Sequence, residues 1–236
     1  MLPDRGGRDL ATRPGAAPLA TFEVRWFLEG GIREHRALRA WFETTDPFKR
    51  GPRVGAPTWQ GRLDDEPDVY LLVPGAADIG IKWREGQLQV KGRLADQGVR
   101  AFGPHRGRLE QWVKWSYADL PEPYRHLFTG SPELGVRTVA VAKTRAQRKI
   151  ALGTSASDAT EVEAAAFVER GLNAELADLS VSGRAWCSVA FEAFPCDPVT
   201  AAAFAPVVTA FLRGLTPLLD GARSESYPGW LRRAAV

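Results

Sequence analysis

Apolar and polar residues alternate with a period of two through most of this chain. That is the pattern of strands with one face on hydrocarbon and the other on polar surroundings. Residues 21–28, TFEVRWFL, set Glu23, Arg25 and Phe27 against Phe22, Val24 and Trp26. In 67–73, Asp68 and Tyr70 share a face. Residues 80–93, GIKWREGQLQVKGR, hold two alternating runs around Arg84-Glu85-Gly86-Gln87, a tight turn in which Gly86 is free to take positive φ. Lys82 and Arg84 line one face of the first run, and Gln89, Lys91 and Arg93 one face of the second. Ile81, Trp83, Leu88 and Val90 take the opposite faces. Paired as a hairpin, these runs gather four cations on one side, where like charges repel unless something relieves them.

The same alternation continues. In 108–117, Glu110, Trp112 and Lys114 oppose Leu109, Val113, Trp115 and Tyr117. In 137–145, Lys143 and Arg145 share a face with Val139 and Val141, and 146–151 can extend the ladder. Residues 174–182 and 185–194 form a hairpin through Ser182-Gly183-Arg184, with Trp186, Ser188, Ala190 and Glu192 opposite Cys187, Val189 and Phe191.

Three stretches have helical spacing. Residues 33–43 bury Leu38, Trp41 and Phe42. Residues 158–170 start at Asp158 as N-cap, with Ala164, Phe167 and Val168 as the apolar side. Residues 198–219 are mostly apolar, with a break expected near Pro206 or Pro217. Residues 44–66, 103–107 and 118–134 read as loops, His35 and His105 as exposed polar residues, and Tyr227 and Trp230 as core cover. Residues 1–18, rich in Arg, Gly, Ala and Pro, read as a disordered tail ahead of one domain over 19–236. About eight strands in antiparallel hairpins plus three helices make an α+β domain.

Composition narrows the function classes. A chain of 236 residues with 44% hydrophobic residues and eight Trp can bury a sizeable core. Its net charge of +3 is too mild to argue for bulk nucleic-acid binding, so the distribution of charge matters more than the sum. The two cysteines, Cys187 and Cys196, make neither a disulfide framework nor a metal knuckle. No apolar run is long enough to span a bilayer, and the first residues lack the apolar core of a secretory signal. A cytoplasmic location is the expectation, and heavy use of Ala, Arg and Gly over Lys points to a GC-rich bacterial genome.

One set of motifs runs through several strands. Glu23-x-Arg25 opens the chain. Lys82-x-Arg84 and then Lys91 follow in the hairpin, Lys143-x-Arg145 comes later, and Glu192 lies in a closing acidic strand, with Asp68-x-Tyr70 between. In this order they resemble the CYTH superfamily, the triphosphate tunnel enzymes, across roughly residues 21–194. The resemblance implies an antiparallel eight-stranded tunnel-like β-barrel with helices packed outside. It also implies a lumen whose basic residues hold a triphosphate and whose acids hold Mg²⁺ or Mn²⁺. Carried over, Arg25, Lys82, Arg84, Lys91, Lys143 and Arg145 bind phosphate, and Glu23 and Glu192 are the metal ligands and the catalytic acids. Arg93, on the face of Lys91, and Lys114, on the face of Glu110, are expected in the phosphate-binding set as well.

The pattern also departs from that family. Thr21 stands where the opening motif has a first Glu, and neither Ala190 nor Phe194 supplies a second closing one. The metal site is therefore reduced. Glu110 and Glu175 could compensate, but Glu175 shares its register with Ala177, Leu179 and Val181, which sets it apart from Glu192. The expected activity is binding of a triphosphate or other phosphorylated anion, with metal-dependent phosphohydrolysis as the enzymatic form and a non-catalytic phospho-ligand sensor as the alternative. Nucleic acid is disfavoured, because alternation puts Trp83 opposite the cations instead of among them.

Overall fold

The computed structural model describes residues 18–48, 57–61, 65–118, 125–128, 137–213, 215, 219 and 221–236. The elements run in order β1 (Leu19–Glu29), α1 (Arg36–Thr44), β2 (Trp59–Gln60), β3 (Asp68–Leu72), β4 (Ile79–Arg84), β5 (Gln87–Phe102) and β6 (His105–Tyr117). They continue with β7 (Arg137–Ala151), β8 (Thr160–Val162), β9 (Gly171–Val181), β10 (Arg184–Phe194), α2 (Pro198–Phe211), β11 (Arg223–Ser224) and α3 (Tyr227–Ala234).

β1 closes the molecule on itself. It pairs antiparallel with β6 on one side and β10 on the other, so Glu23 lies opposite both Glu110 and Glu192. The remaining ladders, β10–β9–β7–β3–β4–β5–β6, complete a closed antiparallel barrel of eight strands. Closure removes the open sheet edges that would otherwise invite pairing with another chain. β2 and β8 add short pairings to β7, and β11 adds one to β1. The β4–β5 and β9–β10 turns are tight two-residue links with positive φ at Glu85-Gly86 and Ser182-Gly183, the twist that suits a hairpin.

Period-two alternation sends the two faces of each strand to two cores. The outward face of β1 presents Phe22, Val24, Trp26 and Leu28. They pack with Val189 and Phe191 of β10, with Leu38, Trp41 and Phe42 of α1, and with Phe204, Val208 and Phe211 of α2. Gly107 on β6 is required here: a Cβ would come within 2.5 Å of both Trp26 and Val24. The inward face carries Phe27, Tyr70, Val141, Leu179, Val181 and Trp186, and α3 packs against them with Trp230 and Leu231. Trp230 stacks on Phe27 at 4.5 Å and 3° and meets Trp186 edge-on at 5.8 Å. Tyr227 stacks on Tyr70 at 5.2 Å. Ser226 caps α3 by accepting from Gly229 N and ties it down by donating to Ala77 O. The reading of Tyr227 and Trp230 as core cover therefore holds, with the core inside the barrel.

Several sequence expectations are corrected. Residues 158–170 form no helix. Asp158 ends a 3₁₀ turn, accepting from Ser155, and Thr160–Val162 pair with β7. The supposed apolar side has nothing to bury against, since Phe167 is 72% exposed, and β-branched Thr160 and Val162 suit the edge of β7 instead. Pro206 sits inside α2 without breaking it, while Pro217 lies outside the described residues. β5 runs on to Phe102 through two bulges, so 103–107 is no loop: Gly103-Pro104 make a tight turn and 105–107 already belong to β6. His105 opens β6 there and is buried, because this turn packs beneath α2, with Thr209 against Gly103. The loop over 44–66 contains β2, and the one over 118–134 contains a 3₁₀ turn at His126–Phe128. The rest of 118–134 beyond residues 118 and 125–128, and the tail before residue 18, lie outside the described residues. Among the described residues no helix is long and apolar enough to cross a membrane.

Candidate functional site

Strand register decides which side chains share the lumen. Tyr70, in the inner core, lies opposite Lys82, and Lys82 lies opposite Gln89. Lys91 then lies opposite Lys114, and Arg93 opposite Trp112. On the far wall Arg25 pairs with Ala190, Ala190 with Glu175, and Ala177 with Arg145. Arg25, Lys82, Arg84, Lys91, Arg93, Lys114, Lys143 and Arg145 therefore all sit on inward positions, contributed by β1, β4, β5, β6 and β7. Glu23 and Glu192 face inward too, directly opposite each other.

The cations are grouped around carboxylates. Glu175 accepts from Lys143 Nζ at 2.9 Å, from Arg25 Nη1 at 3.0 Å and from Arg145 Nη1 at 3.4 Å. Arg25 also donates to Ser188 Oγ at 3.2 Å, and its guanidinium lies 5.5 Å from the Tyr227 ring, where the charged section meets α3. Asp68 accepts from Lys82 at 2.6 Å and pairs with Arg84 at 3.5 Å. Glu110 accepts from Arg93 at 2.6 Å and from the Trp112 indole at 3.1 Å. Lys91 reaches from β5 past β6 to pair with Glu23 and, at 3.6 Å, with Glu192. Thr21 donates its hydroxyl to Glu23 at 2.8 Å.

Glu175 is the residue that sequence reasoning set apart, and register corrects this. Asn173 is opposite Glu192 and Glu175 is opposite Ala190, so Glu175 shares the inward face after all. Its apolar neighbours in sequence, Ala177, Leu179 and Val181, are inward because α3 fills that part of the lumen. The signal available in the sequence was the apolar C-terminal SYPGWL, which needed somewhere to go.

Titration follows from this crowding. Burial alone would raise the Glu175 carboxyl, but Lys143, Arg25 and Arg145 together hold it well below the usual carboxylate range. Lys143 is pushed down to about 7, by burial and then by Arg25 and Arg145, with Glu175 opposing. Lys82 is pushed down to about 8 by burial, with Arg84 and Lys114 acting in the same direction and Asp68 opposing them. Burial raises Glu23, and its neighbour Glu192 adds to this while Lys91 opposes it. Lys91 is the lysine that gains: burial lowers it, but Glu192 and Glu23 outweigh that and raise it.

Glu23 and Glu192 are oxygen donors of the kind Mg²⁺ or Mn²⁺ takes. As arranged they do not fit a resident metal. The Lys91 ammonium is paired to both, and the next carboxylate in the row, Glu110, is taken by Arg93 and Trp112. Among the described residues no group of three or more His, Cys, Asp or Glu could hold a metal ion. What the site offers is a dense set of forked and point-charge donors on a wall of low dielectric, an arrangement that suits phosphate oxygens. An eight-stranded barrel has room for side chains or one small ligand, not for a duplex or a folded partner. Comparison with protein-family models, curated proteins and solved structures found no significant match.

Proposed function

We propose that this chain binds a triphosphate or another small phosphorylated anion in the charged section of its barrel, as a divergent member of the triphosphate tunnel superfamily. One observation carries the reading: eight basic side chains from five strands converge on a closed lumen against five acids, and three of them crowd onto Glu175 alone. An anion entering there takes over charge that Glu175, Asp68 and Glu110 now neutralise, so its own desolvation is offset by donors already in position. The outward Trp83, which packs on Phe128 at 5.9 Å, is no stacking platform beside these cations, which argues against nucleic acid. A cytoplasmic setting, where such anions are abundant, belongs to the same reading.

A second reading, phosphohydrolysis, is favoured by Glu23 and Glu192 facing each other beside the cations. Glu23 has a raised affinity for a proton, which helps a carboxylate orient or deprotonate water. Calorimetric titration with inorganic triphosphate, nucleoside triphosphates and thiamine triphosphate, with phosphate release followed in parallel, tests both. Binding that weakens at least roughly tenfold in Arg25→Ala and Lys143→Ala is expected. Turnover lost in Glu23→Gln or Glu192→Gln would make the protein an enzyme. Salt-sensitive binding of long RNA with no affinity for free triphosphate would overturn the proposal.

A further inference from the structure

The Glu23–Glu192 pair has a counter-ion of its own. Two carboxylates directly opposite each other on adjacent strands repel, and partial burial strengthens the repulsion. Glu23 is 15% exposed and Glu192 37%. A divalent cation between them is the usual remedy in an oxygen-lined site. Here the remedy is a side chain. Lys91 leaves β5, passes the neighbouring strand β6 and ends between the two acids on β1 and β10. Its own neighbours explain the direction it takes. On β6 it lies opposite Lys114, which is of like charge and offers it no counter-ion, and on β4 it lies opposite Gly80, which offers no side chain to hold it. The Thr21 hydroxyl occupies a further acceptor position of Glu23. Glu110, the third acid of the row, is already engaged by Arg93 and Trp112.

We propose that Lys91 is the resident cation of the Glu23–Glu192 pair, standing where a divalent metal would, so that the charged lumen takes up a polyphosphate without one. This rests on the anion-binding reading for its second clause only. The first clause concerns the acid pair and stands or falls by itself. An ammonium is a point charge on a flexible stem, so it can turn toward a phosphate oxygen when an anion arrives.

The experiment titrates Mn²⁺ alone, followed by electron paramagnetic resonance, into the full-length wild type, Lys91→Met, Lys91→Arg and Glu192→Gln. It then titrates inorganic triphosphate into the same proteins in EDTA and in excess Mg²⁺. The expected result is no stoichiometric Mn²⁺ site in wild type or Lys91→Arg, and a gained one-to-one site in Lys91→Met. Triphosphate affinity should be the same with and without Mg²⁺ in wild type and depend on Mg²⁺ by at least roughly tenfold in Lys91→Met. A tight Mn²⁺ site in wild type that disappears in Glu192→Gln overturns the inference, and this arm needs no Lys91 variant to fold. A folded Lys91→Met that gains no Mn²⁺ site overturns it as well. Triphosphate binding to wild type only with Mg²⁺ sinks the inference and leaves the anion-binding reading intact. The expected Mn²⁺ results with no triphosphate binding under any condition do the reverse.

Discussion

The two sections of the barrel lumen are built from the same strands and solve the same problem in opposite ways. β1 contributes to both, with Glu23 and Arg25 in one and Phe27 in the other. In the apolar section the space is filled by the chain's own last helix, and Trp230 is fully buried against Phe27 and Trp186. In the charged section it is occupied by side chains that pair with one another across the barrel, and Lys91 remains 31% exposed. Hydrocarbon packing is non-directional and is lost only by removing atoms. Ion pairs are directional and exchangeable: an incoming anion can replace a carboxylate as the partner of a cation. The first section therefore holds the barrel shut, and the second is where the proposed anion would be exchanged.

Truncating the plug should have the largest effect. Trp230→Ala is expected to cost about 3–5 kcal/mol of unfolding free energy in urea, as for other buried Trp truncations. If the two sections are independent, triphosphate affinity of the folded variant should hold within about threefold. A parallel collapse of binding would show that the plug also shapes the ligand site.

Next comes the centre of the charged section. Glu175→Ala leaves Arg25, Lys143 and Arg145 facing one another without their shared anion. The expected loss is about 3 kcal/mol, the range for a buried ion pair deprived of one partner. Sulfate or triphosphate should restore more thermal stability to this variant than it adds to wild type. A loss that anions do not repair would mean that the section is a fixed structural network and not an exchangeable one.

The smallest expected effect is a pH dependence. Lys143 holds its proton less tightly in the fold, at about 7, than in the unfolded chain, at about 10.4. Between these values the unfolded state binds more protons, so stability rises with pH across that window. Below about 7 the penalty of the buried charge is fully present. Wild type should thus gain up to about 2 kcal/mol from pH 7 to 9 relative to Lys143→Met, measured by denaturant unfolding at the two pH values. An equal pH response in both proteins would show that Lys143 is as well solvated in the barrel as outside it.

Much of this was legible along the chain. Alternation alone assigned Glu23 with Arg25, Lys82 with Arg84, and Glu110 with Lys114 to common faces, because a strand's side-chain period is independent of its partners. Leu38, Trp41 and Phe42 follow as the buried face of α1 from the helical period, which is equally local. The false helix at 158–170 arose because alanine-rich spacing satisfies a helical period, whereas the choice was made by the far end of β7, which runs on past β3 and pairs with 160–162. Glu175 was misjudged because an inward face in this barrel is not uniformly polar.

The sequence by itself determined which side chains travel together, since that depends only on local backbone geometry. Which faces turn inward, and which charges meet, was decided by tertiary structure. Closure of β1 onto β10 set Glu23 opposite Glu192, and the docking of α3 set Trp230 against Phe27 and Trp186 on the inner wall. These contacts join residues far apart in the chain, and their energies arise only once the barrel has shut out water.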